Sequence, residues 1–149
     1  MTPKAVAVFN TRSVKGTVTF SDRKLGLYIE ANFTQLPKGK HGFHIHKAGD
    51  LRGEGCKLAC DHYHKGPPQD HGGPPGWKGQ RHTGDLGNVE EEGKYTYTLH
   101  DITIDDIMGR SVIIHADEDD YGLGGYDDSL ITGHSGARIA CAVIGRSNS

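Results

Sequence analysis

Apolar and polar residues alternate one by one over several stretches, a period of two that fits a β-strand and no helix. Gly16-Thr17-Val18-Thr19-Phe20 alternates in this way. So does 25–33, where Leu25, Leu27, Ile29, Ala31 and Phe33 fall on one predicted face. Ala5-Val6-Ala7-Val8-Phe9, Tyr95–Leu99, Ser111–His115 and Arg138–Ile144 add short apolar, aromatic or β-branched runs. No window keeps a helical period over three turns. Glycine, at 22 of 149 residues and roughly twice ordinary usage, supplies turns between the runs. The pattern predicts an all-β chain, an antiparallel sandwich or barrel forming one domain over residues 1–149.

Two stretches break the rhythm. Gly49 to Asn88 is rich in glycine and carries Pro67, Pro68, Pro74 and Pro75. Ala116 to Ala137 is acidic and glycine-rich, with no Lys or Arg. Unstructured connections of such length inside a compact domain are functional or disordered. The first holds Cys56, Cys60 and four histidines, which favours order imposed by a metal and a disulfide. The net charge of −2 gives no reason to expect nucleic acid or an anionic membrane as partner. No run approaches the roughly 18 apolar residues of a membrane-crossing helix. Met1 to Asn10 lacks the pattern of a secretory leader, which predicts a cytoplasmic protein.

The histidines carry the chemistry. In Gly42-Phe43-His44-Ile45-His46, strand geometry places His44 and His46 on one face and sends Phe43 and Ile45 into the core. Two imidazoles sharing a face form half a metal site; two surface histidines on an ordinary strand are the equal alternative. His62, His71 and His82 follow, with Asp85 three residues after His82. Imidazole with carboxylate suits zinc, and an imidazole-rich set also suits copper. His115 closes the apolar run Val112-Ile113-Ile114, where a late strand can bring it beside His44 and His46. His41 is expected to hydrogen-bond structurally, His100 to be solvated, and His64 and His134 are weaker candidates.

Five motifs occur in family order over nearly the whole chain. They are Lys4-Ala5-Val6-Ala7-Val8, His41-Gly42-Phe43-His44-Ile45-His46, His71-Gly72-Gly73-Pro74, Arg81-His82-Thr83-Gly84-Asp85-Leu86-Gly87-Asn88, and Gly136-Ala137-Arg138-Ile139-Ala140-Cys141-Ala142-Val143-Ile144-Gly145. Together they make the chain resemble a copper/zinc superoxide dismutase of the intracellular eukaryotic type. The resemblance implies an eight-stranded Greek-key β-barrel or sandwich with two long functional loops. It implies His44, His46, His62 and His115 as copper ligands, and His62, His71, His82 and Asp85 as zinc ligands, with His62 shared. Asp119 matches an aspartate that links His46 to His71. Arg138 matches the arginine that attracts superoxide, and Thr132, less specifically, a residue that narrows the channel. The implied reaction turns superoxide into oxygen and hydrogen peroxide by redox cycling of copper, with His62 taking and returning a proton.

The resemblance also pairs Cys56 with Cys141, and implies a homodimer and a copper-delivery chaperone as partners. Cys60 is left over, either as an inert thiol or as a competitor for Cys141. The matching dimer segments are Gly49-Asp50, Met108-Gly109 and Ile144-Gly145-Arg146, although Arg146 stands where relatives have an apolar residue. The loop around the zinc ligands is longer than usual and contains Trp77, for which packing across the loop is expected. Asp117 and Ile131 stand where relatives often carry lysines, which predicts weaker attraction of the anion unless Lys57, Lys65 or Lys78 compensates. A metal-binding module without turnover and a non-catalytic scaffold are the competing functions. Retention of every candidate ligand and of Arg138 favours the enzyme.

Overall fold

A computed structural model describes residues 4–148. Two antiparallel sheets face each other. The first contains β1 (Ala5–Asn10), β2 (Lys15–Arg23), β3 (Gly26–Gln35), β6 (Gly93–Leu99) and the short β9 (Gly145–Arg146), in the order β6-β3-β2-β1-β9. The second contains β4 (His41–His46), β5 (Asp85–Val89), β7 (Ser111–His115) and β8 (Arg138–Val143), in the order β5-β4-β7-β8. The chain crosses between sheets after β3, after β5 and after β6. This leaves β3 beside β6 and β4 beside β7, a Greek-key arrangement.

The expected eighth strand serves both sheets. Its first part, β8, pairs with β7; after Ile144 the chain changes sheets and β9 pairs with β1 at Ala5 and Val6. That switch joins the sheets along one edge, so the sandwich has a barrel-like corner. Inward-facing side chains from both sheets fill one hydrophobic core. Phe33 of the first sheet meets Phe43 of the second edge-on, with ring centroids 5.7 Å apart, an arrangement that aromatic quadrupoles favour.

Two expectations need correction. Leu25 does not join the inward face of β3; it lies in the turn before the strand and is 69% exposed. The strand begins at Gly26, whose φ of 134° and close approach to the Leu99 carbonyl leave no room for a side chain. The second correction is β5, which lies inside the stretch read as a loop. Its alternation is hidden because Gly87, at φ 82°, and the polar Asp85 and Asn88 interrupt it.

The helices are single turns, α1 (Ile104–Ile107) and α2 (Ser129–Thr132), with a 3₁₀ segment at Glu54–Ala59. Among the described residues no helix is long and apolar enough to cross a membrane. All six residues of β4 are buried. Phe43 and Ile45 enter the core. His44 and His46 turn to the opposite face, where the connections 47–84 and 116–137 cover them.

Candidate metal centre

Register brings the expected residues together. His44 and His46 share the outer face of β4, and His115 ends β7, the neighbouring strand. An isolated bridge between His46 and His62 lays the long loop against β4. Backbone bonds from Ile45 to Gly84 and from Tyr63 to Ile45 pin it there. Asp85 opens β5 directly opposite His44. His71 is fixed by its backbone N–H, which donates to Leu130 in α2 at 2.8 Å. His44, His46, His62, His71, His115, Asp85 and Asp119 are all buried.

The ring nitrogens divide into two sets. One nitrogen of each of four rings is tied outward: His44 Nε2 and His71 Nε2 to Asp119, at 2.7 Å each, His46 Nδ1 to the Cys60 carbonyl at 2.8 Å, and His115 Nδ1 to the Gly136 carbonyl at 3.1 Å. The inward atoms lack such partners. His44 Nδ1, His62 Nε2, His71 Nδ1 and His82 Nδ1 are buried without a hydrogen bond. His46 Nε2 and His115 Nε2 face each other at 3.3 Å. Buried polar atoms are ordinarily satisfied, so convergent lone pairs of this kind fit a cation.

Two sets of ligand atoms each lie within 4.8 Å of one another: His44, His46, His62 and His115, and His44, His62, His71 and Asp85. His82 stands just outside the second set, with Nδ1 3.4 Å from Asp85 Oδ2. His62 Nδ1 and His71 Nδ1 lie 2.8 and 3.0 Å from Asp85 Oδ1. Asp85 Oδ2 accepts from the backbone N–H groups of Gly72 and His82, which leaves Oδ1 to face the imidazoles of His62 and His71.

The electrostatics agree. Burial and neighbouring imidazoles hold His44 and His46 well below the ordinary histidine range, and burial takes His115 down to about 3. These rings are neutral near pH 7, as ligands must be. Burial also opposes a charge on His71, but the neighbouring carboxylates of Asp119 and Asp85 prevail and lift it to about 9. Two buried carboxylates thus draw positive charge into the cavity. Asp85 is held low by the three histidines against its burial, while burial raises Asp119.

Asp119 corrects one expectation. It links His44, not His46, to His71. The outward nitrogen of His46 goes to Cys60 instead. Asn88, absent from the sequence-derived site, fixes Asp119 by a two-way backbone clamp: its Nδ2 donates to the Asp119 carbonyl and its Oδ1 accepts from the Asp119 N–H. Its position at the end of the Arg81–Asn88 motif is the signal that marks it. Arg81 was likewise unassigned; it donates to the carbonyls of Gly73, Thr83 and Asp85 and so braces the loop. Gly133 packs so closely on Asp119 and His71 that a Cβ would strike both.

Arg138 lies across from His115 at the start of β8. Its Nη1 donates to the Cys56 carbonyl at 2.8 Å and its Nη2 to the Cys60 carbonyl at 2.7 Å. Cys56 and Cys141 are joined by a disulfide, and Cys60 is a free, exposed thiol. The remaining candidates fall away from the centre. His41 bridges the carbonyls of Pro37 and His115, a structural role as expected. His64 accepts from the Thr83 N–H, His100 is exposed, and His134 pairs with Asp128. Thr132 lies in α2. Trp77 packs on Tyr121 across the loops, with ring centroids 5.5 Å apart.

Fold and site together define a Greek-key β-sandwich with two adjoining metal-binding clusters on its outer face. Residues 14–144 match the family model for copper/zinc superoxide dismutase. The superoxide dismutase [Cu-Zn] of Paramecium bursaria Chlorella virus 1 is 46% identical over 140 residues, covering 89% of this chain and 73% of that protein. The extracellular superoxide dismutase [Cu-Zn] of Drosophila melanogaster is 45% identical over 141 residues, covering 89% and 76%. The crystal structure of the clock protein EA4 superposes with a TM-score of 0.83 at 37% identity, covering 97% of this chain and 96% of that one. The chain belongs to the copper/zinc superoxide dismutase family.

Proposed function

We propose that this chain disproportionates superoxide, with copper on His44, His46, His62 and His115 and zinc on His62, His71, His82 and Asp85. The observation that carries this reading is the set of inward ring nitrogens left without partners while the opposite nitrogens are tied. His82 takes the place of His44 in the zinc set because the family match assigns it there and its buried, unpartnered Nδ1 lies 3.4 Å from Asp85 Oδ2, while His44 also belongs to the cluster of His46, His62 and His115.

Bound copper supplies the one-electron acceptor and donor that two successive superoxide ions require, which zinc cannot. The chain's residues do the rest. Arg138 attracts the anion; burial lowers its pKa, yet a guanidinium stays charged at any working pH. Two of its N–H groups are held by Cys56 and Cys60, which aims the others. Nε2 of His62 takes and returns one of the two protons that peroxide formation consumes, while Nδ1 is held on the Asp85 side. Asp119 orients His44 and His71, coupling the two clusters through one carboxylate.

The reading includes one domain over the whole chain, supported by a single core running from Ala5 to Ile144. It includes a homodimer: Gly49 packs on the Gly109 carbonyl, and the Gly109 N–H donates to Ile144, so the three matching segments form one surface. Arg146 is exposed on β9 at its edge. A cytoplasmic location suits the exposed free thiol of Cys60. Copper delivery by a chaperone belongs to the same reading.

The test is superoxide consumption by purified protein with copper and zinc quantified in the same sample. Copper-dependent activity at about one copper and one zinc per chain is expected. Both metals bound without turnover would replace the enzyme by a metal-binding module.

A further inference from the structure

The loop between β7 and β8 exposes apolar side chains inside a field of one sign. Leu123, Tyr126, Leu130 and Ile131 are 74%, 57%, 52% and 58% exposed. Three of them adjoin: Leu130 reaches over Gly122, next to Leu123, and Tyr126 sits against Gly124; Ile131 follows Leu130 in α2. In the same loop Asp117, Glu118 and Asp127 are exposed, and none has an ion-pair partner among the described residues. Residues 116–137 contain no Lys or Arg, and their one basic group, His134, is held by Asp128 at 2.6 Å.

The surface is built rather than slack. The Asp120 carboxylate accepts from the Gly122 N–H at 2.8 Å and from the Ser129 hydroxyl at 2.6 Å. Backbone bonds from Asp120 to Gly133 and from Gly133 to Ser129 close the frame. A fixed frame spares an occupant the ordering of this side of the contact. Contiguous exposed apolar groups rimmed by charge mark an interaction surface. The acidic rim repels nucleic acid and anionic membranes, and attracts a cationic segment.

We propose that this loop docks a lysine- or arginine-rich segment of a partner protein that also carries large apolar side chains. The role goes beyond dismutation and does not depend on it. The apolar side chains select among cationic partners, and the carboxylates set the rate and salt dependence of encounter.

The probe is a short fluorescein-labelled lysine-leucine peptide, compared with a lysine-serine peptide of equal length and charge. Each is titrated by anisotropy with the metal-loaded full chain at low salt. The lysine-leucine peptide is expected to bind about tenfold tighter. Leu123→Ser with Ile131→Ser removes that advantage; should the pair melt early, Leu123→Ser alone reduces it. Glu118→Gln with Asp127→Asn weakens both peptides and flattens their salt dependence. Equal binding of the two peptides, or an advantage that survives the serine variants, would overturn the proposal. The turn Arg23-Lys24-Leu25 of this chain has the same chemistry as the probe. Self-association abolished by Arg23→Glu with Lys24→Glu would assign the surface to a second copy and overturn it as well.

Discussion

Arg138 is positioned by the backbone of Cys60, whose carbonyl accepts from Nη2 at 2.7 Å and also accepts from His46 Nδ1 at 2.8 Å. One peptide oxygen therefore orients both the Arg138 guanidinium and a histidine of the candidate metal cluster. Cys60 reaches this geometry at φ 72°, ψ −152°, a region that suits glycine and costs other residues about 1–3 kcal/mol. Because the contacts run through the carbonyl, the thiol is dispensable. Cys60→Gly is expected to stabilise the protein by about 1 kcal/mol with activity unchanged. Urea unfolding reads the first and superoxide turnover the second; a destabilised Cys60→Gly would refute the assignment. Cys60→Ser should keep both the bridge and activity.

Asp119→Ala tests the coupling between clusters. It strips the outward partner from His44 and His71 and leaves His46, held by Cys60, untouched. Metal affinity should fall about 10–100-fold, the usual effect of losing a group that orients a ligand. Chelator competition gives the number. Ring N–H resonances give the site: those of His44 and His71 should move, and that of His46 should stay.

The motif chemistry was largely legible, and the misses have physical causes. His44 and His46 could be read as one face because period two fixes which side chains share a side of a strand. Which of them Asp119 reaches could not, since their rings lie on that same face, 6.1 Å apart, and the path of a distant loop makes the choice. β5 stayed hidden because Asp85, Gly87 and Asn88 answer to the metal cluster, a tight backbone turn and Asp119, instead of to an alternating core. Leu25 misled because it continues an alternation that the backbone abandons at Gly26.

Acid should unfold the metal-free protein early. His44, His46 and His115 are held below the ordinary value of 6.5 in the fold, His115 at about 3. Below pH 6.5 the unfolded chain binds more protons at these rings than the folded one, so stability drops as pH falls. Each ring contributes up to about 1.4 kcal/mol per pH unit until its folded pKa is reached. His71 has the opposite sign: raised to about 9, it contributes fully below pH 6.5, and that contribution is lost as pH rises through 9. Urea unfolding of metal-free protein from pH 7.5 to 5 should show a steep loss, and a flat profile would refute the assignment.

The Cys56–Cys141 disulfide closes a separation of 85 residues. Removing such a crosslink costs about 2–5 kcal/mol. The bridge also ties the 54–60 turn, whose carbonyls grip Arg138, to β8. Cys141→Ser should therefore lower the unfolding midpoint and also reduce turnover at equal copper content. Loss of stability with full turnover would show that Arg138 does not depend on the bridge.

Salt should reveal what the acidic loop does to an anionic substrate. Asp117 lies against Gly136, whose carbonyl holds His115, so its charge stands near the cluster of His44, His46, His62 and His115. With Ile131 exposed on α2 and no Lys or Arg between residues 116 and 137, the proposed role of Arg138 in attracting superoxide would work against a local negative field. Screening weakens repulsion and attraction alike, so the two nearly cancel and the rate should depend only weakly on salt. Asp117→Lys with Ile131→Lys reverses the field. The rate at low salt should then rise roughly two- to tenfold and fall as salt is added. A wild-type rate that already falls steeply with salt would mean that cations elsewhere, Lys57 in the turn beside Arg138 first among them, outweigh the loop.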